Sequence, residues 1–283
     1  MMKEPYISMW ETGPDFTMLV YLDFVNKRIR IDDYRGNINS IIIRMKALAK
    51  QYSFTKELIK AREEDWRTFL SNGYVFEGTI NGYFNGNDAF FMVHYVNVDR
   101  RTSPSWKEED LFLEKITALP NPTQSNVLPA GYSIRLANMD DCKSLASLYK
   151  LVFQTYPTPM DDESYIGKVM EEGTIFKIIE WNGEIVSTAS AEVNEAYHNA
   201  EMTDCATLQE HRKYGFMQLL ISGLEEELIS RQIYCSYSLA RAQSFGMNAC
   251  LKKLGYLYTG RLGNNCVMNG QYENMNIWVK KLV

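Results

Sequence analysis

Residues Glu201 to Leu228 join a polar strand to an amphipathic helix through one basic turn, Gln209-Glu210-His211-Arg212-Lys213-Tyr214-Gly215-Phe216-Met217. The helix repeats Phe216, Leu220, Leu224 and Leu228 at four-residue spacing, a stripe that must be buried. A helix start leaves backbone N–H groups unpaired at the positive end of its dipole, so it takes anions wherever the backbone can be approached. Gly215 permits that approach, and Arg212 and Lys213 add positive charge at the same turn. The segment is therefore expected to hold a pyrophosphate. His211, beside Arg212, is expected to be a solvent-exposed turn residue.

From Gly131 onward, periodicity and breakers give the order strand, helix, helix, three strands, helix, strand, helix, two strands. Tyr132 to Leu136 alternates as a short strand. Asp140 or Asp141 can cap a helix carrying Leu145, Leu148, Tyr149 and Val152, and Asp161 to Met170 makes a second one. Thr174 to Glu180 and Glu184 to Val193 flank Trp181-Asn182-Gly183, a hairpin turn. Tyr197 to Thr207 runs into the basic turn. Tyr234 to Leu239 follows as a strand, Gln243 to Lys253 as a helix stopped by Gly255, and Tyr256 to Gly260 and Asn276 to Lys280 as closing strands.

At these residues the chain resembles the GNAT superfamily of N-acetyltransferases, whose acetyl-CoA loop reads Arg/Gln-x-x-Gly-x-Gly/Ala at a strand-to-helix turn. Here it reads Arg212-x-x-Gly215-x-Met217, with a bulkier third residue than the family uses. The resemblance implies an α/β (α+β) fold with a mixed, mostly antiparallel central sheet, and acetyl-CoA as cosubstrate. It implies acetyl-CoA contacts from Cys205, Thr207, Leu208, Arg212, Lys213, Tyr214, Gly215, Phe216, Met217 and Ser244.

Further wording is similar to the β-lysine N-acetyltransferases over nearly the whole chain. It comprises Glu201-Met202-Thr203-Asp204-Cys205-Ala206-Thr207, Ala240-Arg241-Ala242, Ser244-x-Gly246-Met247-Asn248 and Tyr156-Pro157-x-Pro159-x-Asp161-Asp162. Gly255-Tyr256-x-Tyr258-x-Gly260, Asn264-Asn265 and Glu273-x-Met275-Asn276 complete it. The implied reaction is transfer of acetyl to the terminal amine of β-lysine, giving Nε-acetyl-β-lysine, an osmolyte.

A lysine-type ammonium, with an unperturbed pKa near ~10.4, must lose a proton before it attacks a thioester. Glu201 occupies the position where some GNAT enzymes carry their base and is the first candidate, with Asp204 the second. An odd number of steps separates them, so a regular strand would turn them to opposite faces. A backbone N–H from Cys205 to Leu208 can stabilise the developing oxyanion. Leu251 stands where many GNAT enzymes place an acidic Tyr, so Asn248 or Tyr237 is left to orient a water that protonates the thiolate. For the acceptor, the expected contacts are Tyr156, Asp161, Arg241 and Asn264, the arginine because its fork suits a carboxylate.

With 283 residues the chain has room for one large or two ordinary domains. Asn121 to Pro129 is rich in turn formers and marks a linker, set at 119–130, before a catalytic domain at 131–283. Before it, Phe69 to Gly78 echoes Cys250 to Gly260, and Tyr34-Arg35-Gly36 precedes an apolar helix as Arg212 and Gly215 precede theirs. Residues 1–118 are thus expected to form a partial GNAT-like N-terminal lobe. It is read as the later half of that fold without its early strands, not binding acetyl-CoA and packing on the catalytic domain or a second subunit, which keeps a homodimer open.

The formal charge of −5 argues against a nucleic-acid partner. No apolar run approaches the ~20 residues that span a bilayer, and the start of the chain lacks a signal-peptide pattern, so a cytoplasmic protein is expected. Five cysteines without a Cys-x-x-Cys pair are expected as reduced thiols, and three scattered histidines give no metal-ligand spacing. Rival functions are acetylation of another small amine or of a protein lysine, and noncatalytic acyl-CoA binding.

Overall fold

The structure, a computed structural model, describes residues 5–120, 127–268 and 270–283. The middle of the expected linker, residues 121–126, lies outside the described residues. The first half runs β1 (Tyr6–Thr12), β2 (Phe16–Asp23), β3 (Arg28–Gly36), α1 (Ile38–Gln51), β4 (Lys56–Ala61), α2 (Trp66–Ser71), β5 (Val75–Phe84), β6 (Asn87–Tyr95) and α3 (Trp106–Thr117). The second half opens with β7 (Tyr132–Leu136), α4 (Cys142–Val152), α5 (Glu163–Glu171), β8 (Ile175–Trp181), β9 (Glu184–Asn194) and β10 (Asn199–Thr207). It closes with α6 (Phe216–Ser230), β11 (Cys235–Arg241), α7 (Phe245–Lys253), β12 (Leu257–Met268) and β13 (Gln271–Lys281). The element order from Gly131 is the one read from the sequence. The last two strands are longer than read, because β12 continues past its Gly260 kink.

All thirteen strands form one mixed sheet in the order β1-β2-β3-β4-β6-β5-β12-β13-β11-β10-β9-β8-β7. Its parallel pairs are β3 with β4 and β10 with β11; the other pairs are antiparallel. Followed outward from its centre, each half repeats one arrangement. A hairpin (β5–β6, β12–β13) lies beside a strand (β4, β11) that runs parallel to its other neighbour (β3, β10). Three strands precede α1, which corrects the expectation that the first lobe lacks its early strands. Among its described residues it lacks any counterpart of β7, α4 and α5.

The halves meet where Gly78 of β5 pairs with Gly260 of β12. Both have φ near the left-handed limit, +156° and +157°, and each hairpin slips register at its own glycine. A Cβ on Gly260 would lie 2.2 Å from the Glu77 carbonyl oxygen and 2.4 Å from the Gly78 Cα, so nothing larger fits this crossing. Beyond it, β12 bulges between Leu262 and Cys266. Three cations of the first half take up that backbone: Lys56 donates to the Gly263 carbonyl at 2.7 Å, Arg100 to that of Asn264 and Arg28 to that of Asn265. The junction also has an apolar core of its own, with Leu58, Ile80 and Phe91 against Tyr237, Leu262 and Ile277.

In the second half α6 covers one sheet face. Phe216, Leu220, Leu224 and Leu228 are at most 2% exposed, each contributing about 1.5–3 kcal/mol of burial. On the opposite face α4 and α5 pack Leu145, Leu148, Tyr149 and Ile166 over Phe176, Ile178 and Ala206. Helix α3 belongs to the first half by sequence, yet it seats Ile116 in the core of the second and turns Phe112 edge-on to Phe245 of α7.

Candidate active site

Strands β10 and β11 pair only at Asn199–Cys235, Ala200–Ser236 and Glu201–Tyr237. Past Glu201 they part, with Ser238 Oγ reaching back to the Met202 carbonyl at 2.8 Å where the wedge opens. The wedge leads to the start of α6. Gly215 forms the N-cap there at φ +74°, a left-handed turn, and no side chain caps the helix. Gln218 and Leu219 donate to the Gly215 carbonyl, while the N–H groups of Phe216 and Met217 hold no protein acceptor among the described residues. Arg212, Lys213 and Tyr214 are exposed around this start, and Arg212 Nε braces the strand end through the Thr207 carbonyl at 3.2 Å. Unpaired N–H groups beside two cations suit a pyrophosphate. Met217, half-buried, packs onto the α6 core, which takes its bulk away from the turn. His211 departs from expectation: it is buried, bonded through Nδ1 to the Tyr132 hydroxyl at 2.8 Å and packed on Trp181, so it anchors the turn.

On β10 one extra residue enters between Thr203 and Ala206, so Asp204 and Cys205 have no partner on β9. Asp204 takes φ +48°, and this bulge overturns the alternation argument. Glu201 pairs with Glu192 and Thr203 with Ser190 on one face, and Asp204 joins that face by accepting from Ser190 Oγ at 2.7 Å and Tyr156 Oη at 3.1 Å. The Tyr149 hydroxyl fixes the bulge through the Asp204 carbonyl at 2.6 Å. The structure thus brings Tyr156, Glu201 and Asp204 together. Of the oxyanion-donor candidates, Leu208 has already given its N–H to Val186. The bulge backbone at Asp204 and Cys205 is the part the ladder leaves unused. Thr207 shares a hydroxyl contact with Ser187 at 2.7 Å.

Other expected residues have different employment. Asn248 is buried, accepting from Asn276 and Trp278 and donating to the Arg241 and Ser244 carbonyls, so it ties α7 to the sheet instead of orienting a catalytic water. Ser244 is the N-cap residue of α7, without a side-chain cap bond. Leu251 is fully buried in the α6–α7 core. Both arms of Arg241 are held by Glu273, at 2.7 and 2.6 Å, which leaves no fork for an acceptor carboxylate. Asn264 spends its amide on the Arg100 and Thr102 carbonyls at the lobe junction. Asp161 is exposed, and its neighbour Asp162 caps α5.

The residues that sequence reasoning missed come from the first lobe and from β9. Asp32 of β3 is held by Arg30 Nε at 2.9 Å and Lys60 Nζ at 3.1 Å, and Lys60 also reaches the hydroxyls of Tyr83, at 3.0 Å, and Tyr237 of β11, at 3.5 Å. Arg62 bonds Asp33 and the Tyr197 hydroxyl, and Tyr6 of β1 meets Tyr165 of α5 at 3.3 Å. These contacts fold the polar face of the first lobe over the Glu201 face of the second. Burial works against the Asp32 carboxylate, but Arg30 and Lys60 outweigh it and hold its carboxyl at about 2.

Glu192 is exposed at the edge of this face, and the protein crowded around it, reinforced by the charges of Glu201 and Asp204, pushes its carboxyl above the usual range. Asp204 is also raised, by burial first and then Glu201, against the hydrogen bonds from Ser190 and Tyr156. A cavity of about 500 Å³, lined by Phe76, Glu77, Trp106, Tyr258 and Arg261 among others, lies at the lobe junction and contains none of Glu192, Glu201 and Asp204.

A wedge between two parallel strands, a bulge on one and a bare helix start at its mouth suit a ligand that carries a pyrophosphate at one end and an acyl group at the other. The model of the acetyltransferase (GNAT) family matches residues 142–256. The N-acetyltransferase YodP of Bacillus subtilis is 40% identical over 260 residues, covering 92% of this chain and 94% of its own length. The chain belongs to the GNAT family of acetyltransferases. It is an N-acetyltransferase, and acetyl-CoA is its cosubstrate. Two further relatives carry the name β-lysine N(6)-acetyltransferase. That of Methanosarcina mazei is 35% identical, covering 88% of this chain and all of its own. That of Methanococcus maripaludis is 32% identical, covering 93% of this chain and 95% of its own. Among solved structures, the ribosomal-protein-S18-alanine N-acetyltransferase of Escherichia coli aligns at 16% identity and TM-score 0.47, over 53% of this chain and 94% of its own. Among the described residues no helix is long and apolar enough to cross a membrane, and no group of three or more His, Cys, Asp or Glu is placed to hold a metal. The five thiols are unpaired.

Proposed function

We propose that this GNAT enzyme acetylates the terminal amine of β-lysine, giving Nε-acetyl-β-lysine as a compatible solute. Two β-lysine N(6)-acetyltransferases covered over 88% and 93% of this chain support the acceptor. The observation that carries the reading is a carboxylate, Glu201, set where β10 and β11 part, with no protein hydrogen bond of its own among the described residues and with Asp204 and Tyr156 on the same face. Acetyl-CoA supplies the activated acetyl group, its pyrophosphate held at the α6 start by backbone N–H groups, Arg212 and Lys213.

Glu201 takes the proton from the ε-ammonium, directly or through one water, with Asp204 the second candidate. The neutral nitrogen then forms its C–N bond as the C–S bond breaks with the electron pair leaving on sulfur, and the second proton, lost from the acetylated nitrogen, passes through solvent to the thiolate. Unused backbone in the Asp204–Cys205 bulge is the source of the oxyanion donor. Acetylation removes one positive charge and leaves a net-neutral zwitterion, which suits a solute accumulated to high concentration. Residues 131–283 are the catalytic unit in this reading, 119–130 the linker and 1–118 a partial GNAT-like lobe, in a cytoplasmic protein. Mass spectrometry of the product formed with β-lysine tests it: acetyl on the ε nitrogen is expected, and acetyl on the β nitrogen, or no adduct, overturns it.

A further inference from the structure

The first lobe turns a charged face toward the site, and its charges are not all satisfied. Arg30 spends Nε on Asp32 and lays its guanidinium 4.3 Å from the centre of the Tyr21 ring; its two terminal nitrogens hold no protein hydrogen bond among the described residues. That guanidinium is close enough to feel the Glu201 charge on the other lobe, and Glu192 in turn feels Arg30 and Lys60. Glu192 and Glu201 are direct cross-strand partners, and neither holds a protein hydrogen bond among the described residues. One open guanidinium and two open carboxylates thus lie along the seam where Tyr6, stacked on Tyr21, meets Tyr165 and where Lys60 reaches Tyr237, the cross-strand neighbour of Glu201. Charges that the protein leaves without partners are stabilised when a ligand of opposite pattern binds.

We propose that the N-terminal lobe selects the acceptor: Arg30, stacked on Tyr21, takes the acceptor's carboxylate, and Glu192 takes the ammonium that is not acetylated, leaving Glu201 for the reacting amine. The preferred substrate class is therefore a diamino monocarboxylic acid, bound between lobes. The inference rests on the acetyl-acceptor reading above and extends it to residues outside the catalytic half. A planar fork that grips a carboxylate with two N–H groups rejects an acceptor lacking it, because the guanidinium is then left desolvated and unpaired. Asp32 stays paired with Lys60 when Arg30 is replaced, so the substitution leaves no orphaned carboxylate.

Steady-state kinetics of the full chain with β-lysine and with β-lysine amide test the inference. The wild type is expected to prefer β-lysine. Arg30→Met is expected to raise the β-lysine KM about 10- to 100-fold, the range of a charged hydrogen-bonding pair, with kcat within a few-fold and the amide barely affected. Arg30→Lys keeps the charge without the fork and falls between; it carries the test should the methionine variant melt early. Acetyl-CoA affinity, measured by calorimetry on the same proteins, should not move. An unchanged KM, or equal losses for β-lysine and its amide, overturns the proposal. Turnover of a different diamino acid with the same Arg30 dependence would sink the β-lysine reading alone and leave this one standing.

Discussion

Glu192 and Glu201 face each other across two strands, and the charge of Glu201 helps to set how Glu192 titrates. The folded value of Glu192 is raised by burial and by Glu201 and Asp204, against the opposing pull of Arg30 and Lys60. Between the unfolded value of about 4.3 and that raised value the folded chain holds the extra proton, so this residue's contribution to stability falls as pH rises. Glu192→Gln mimics the protonated acid. Its Tm should match wild type near about pH 4 and exceed it near about pH 8 in the absence of acceptor; a variant less stable at both pH values contradicts the placement. Glu201→Gln should lower kcat/KM about 10²- to 10⁴-fold and flatten its rise with pH. A rate unchanged across pH would remove Glu201 as base. None of the partners that set the Glu192 value adjoins it in sequence, so Arg30, Lys60 and Glu192 gave no local signal, whereas Glu201 entered as a candidate from its place on the strand before the basic turn.

At the level of single elements, the turn into α6 was readable because a glycine between a strand and an amphipathic helix marks a tight turn. Gly215 does adopt the left-handed turn, at φ +74°. Gly215→Ala should cost about 1–2 kcal/mol from that backbone region and raise the Kd for acetyl-CoA, while kcat at saturating acetyl-CoA stays near wild type. Calorimetry with acetyl-CoA checks it, and unaltered affinity would contradict a cosubstrate role for the turn. The bulge on β10 was not readable. Asp204 carries no glycine to announce its positive φ, and aspartate is one of the few side chains that tolerates it. One inserted residue moved a carboxylate across the sheet, which no alternation rule can foresee. His211 was misread for a related reason, since Tyr132 and Trp181, which bury it, arrive from β7 and β8.

Over the whole molecule, the echo between Phe69–Gly78 and Cys250–Gly260 was visible, but not that its two final glycines meet. Pairing across the centre is a tertiary fact, and it makes one sheet of two lobes. Gly260→Ala sets a Cβ 2.2 Å from a carbonyl oxygen and should cost about 3 kcal/mol or more, with acceptor turnover lost alongside stability. Gly73→Ala has open space around its Cβ and bears only the φ penalty, about 1 kcal/mol. Denaturant melts of the pair separate a crossing from an ordinary turn; equal losses would deny the crossing its role.

The proposed activity stands or falls on acceptor-dependent chemistry. Thiol release from acetyl-CoA, followed for the full chain with β-lysine, with α-lysine and with no acceptor, tests that most directly. Saturable release that favours β-lysine, with acetyl-β-lysine accumulating in step, is the predicted result. Saturable acetyl-CoA binding with no acetylated product from either amino acid would contradict it.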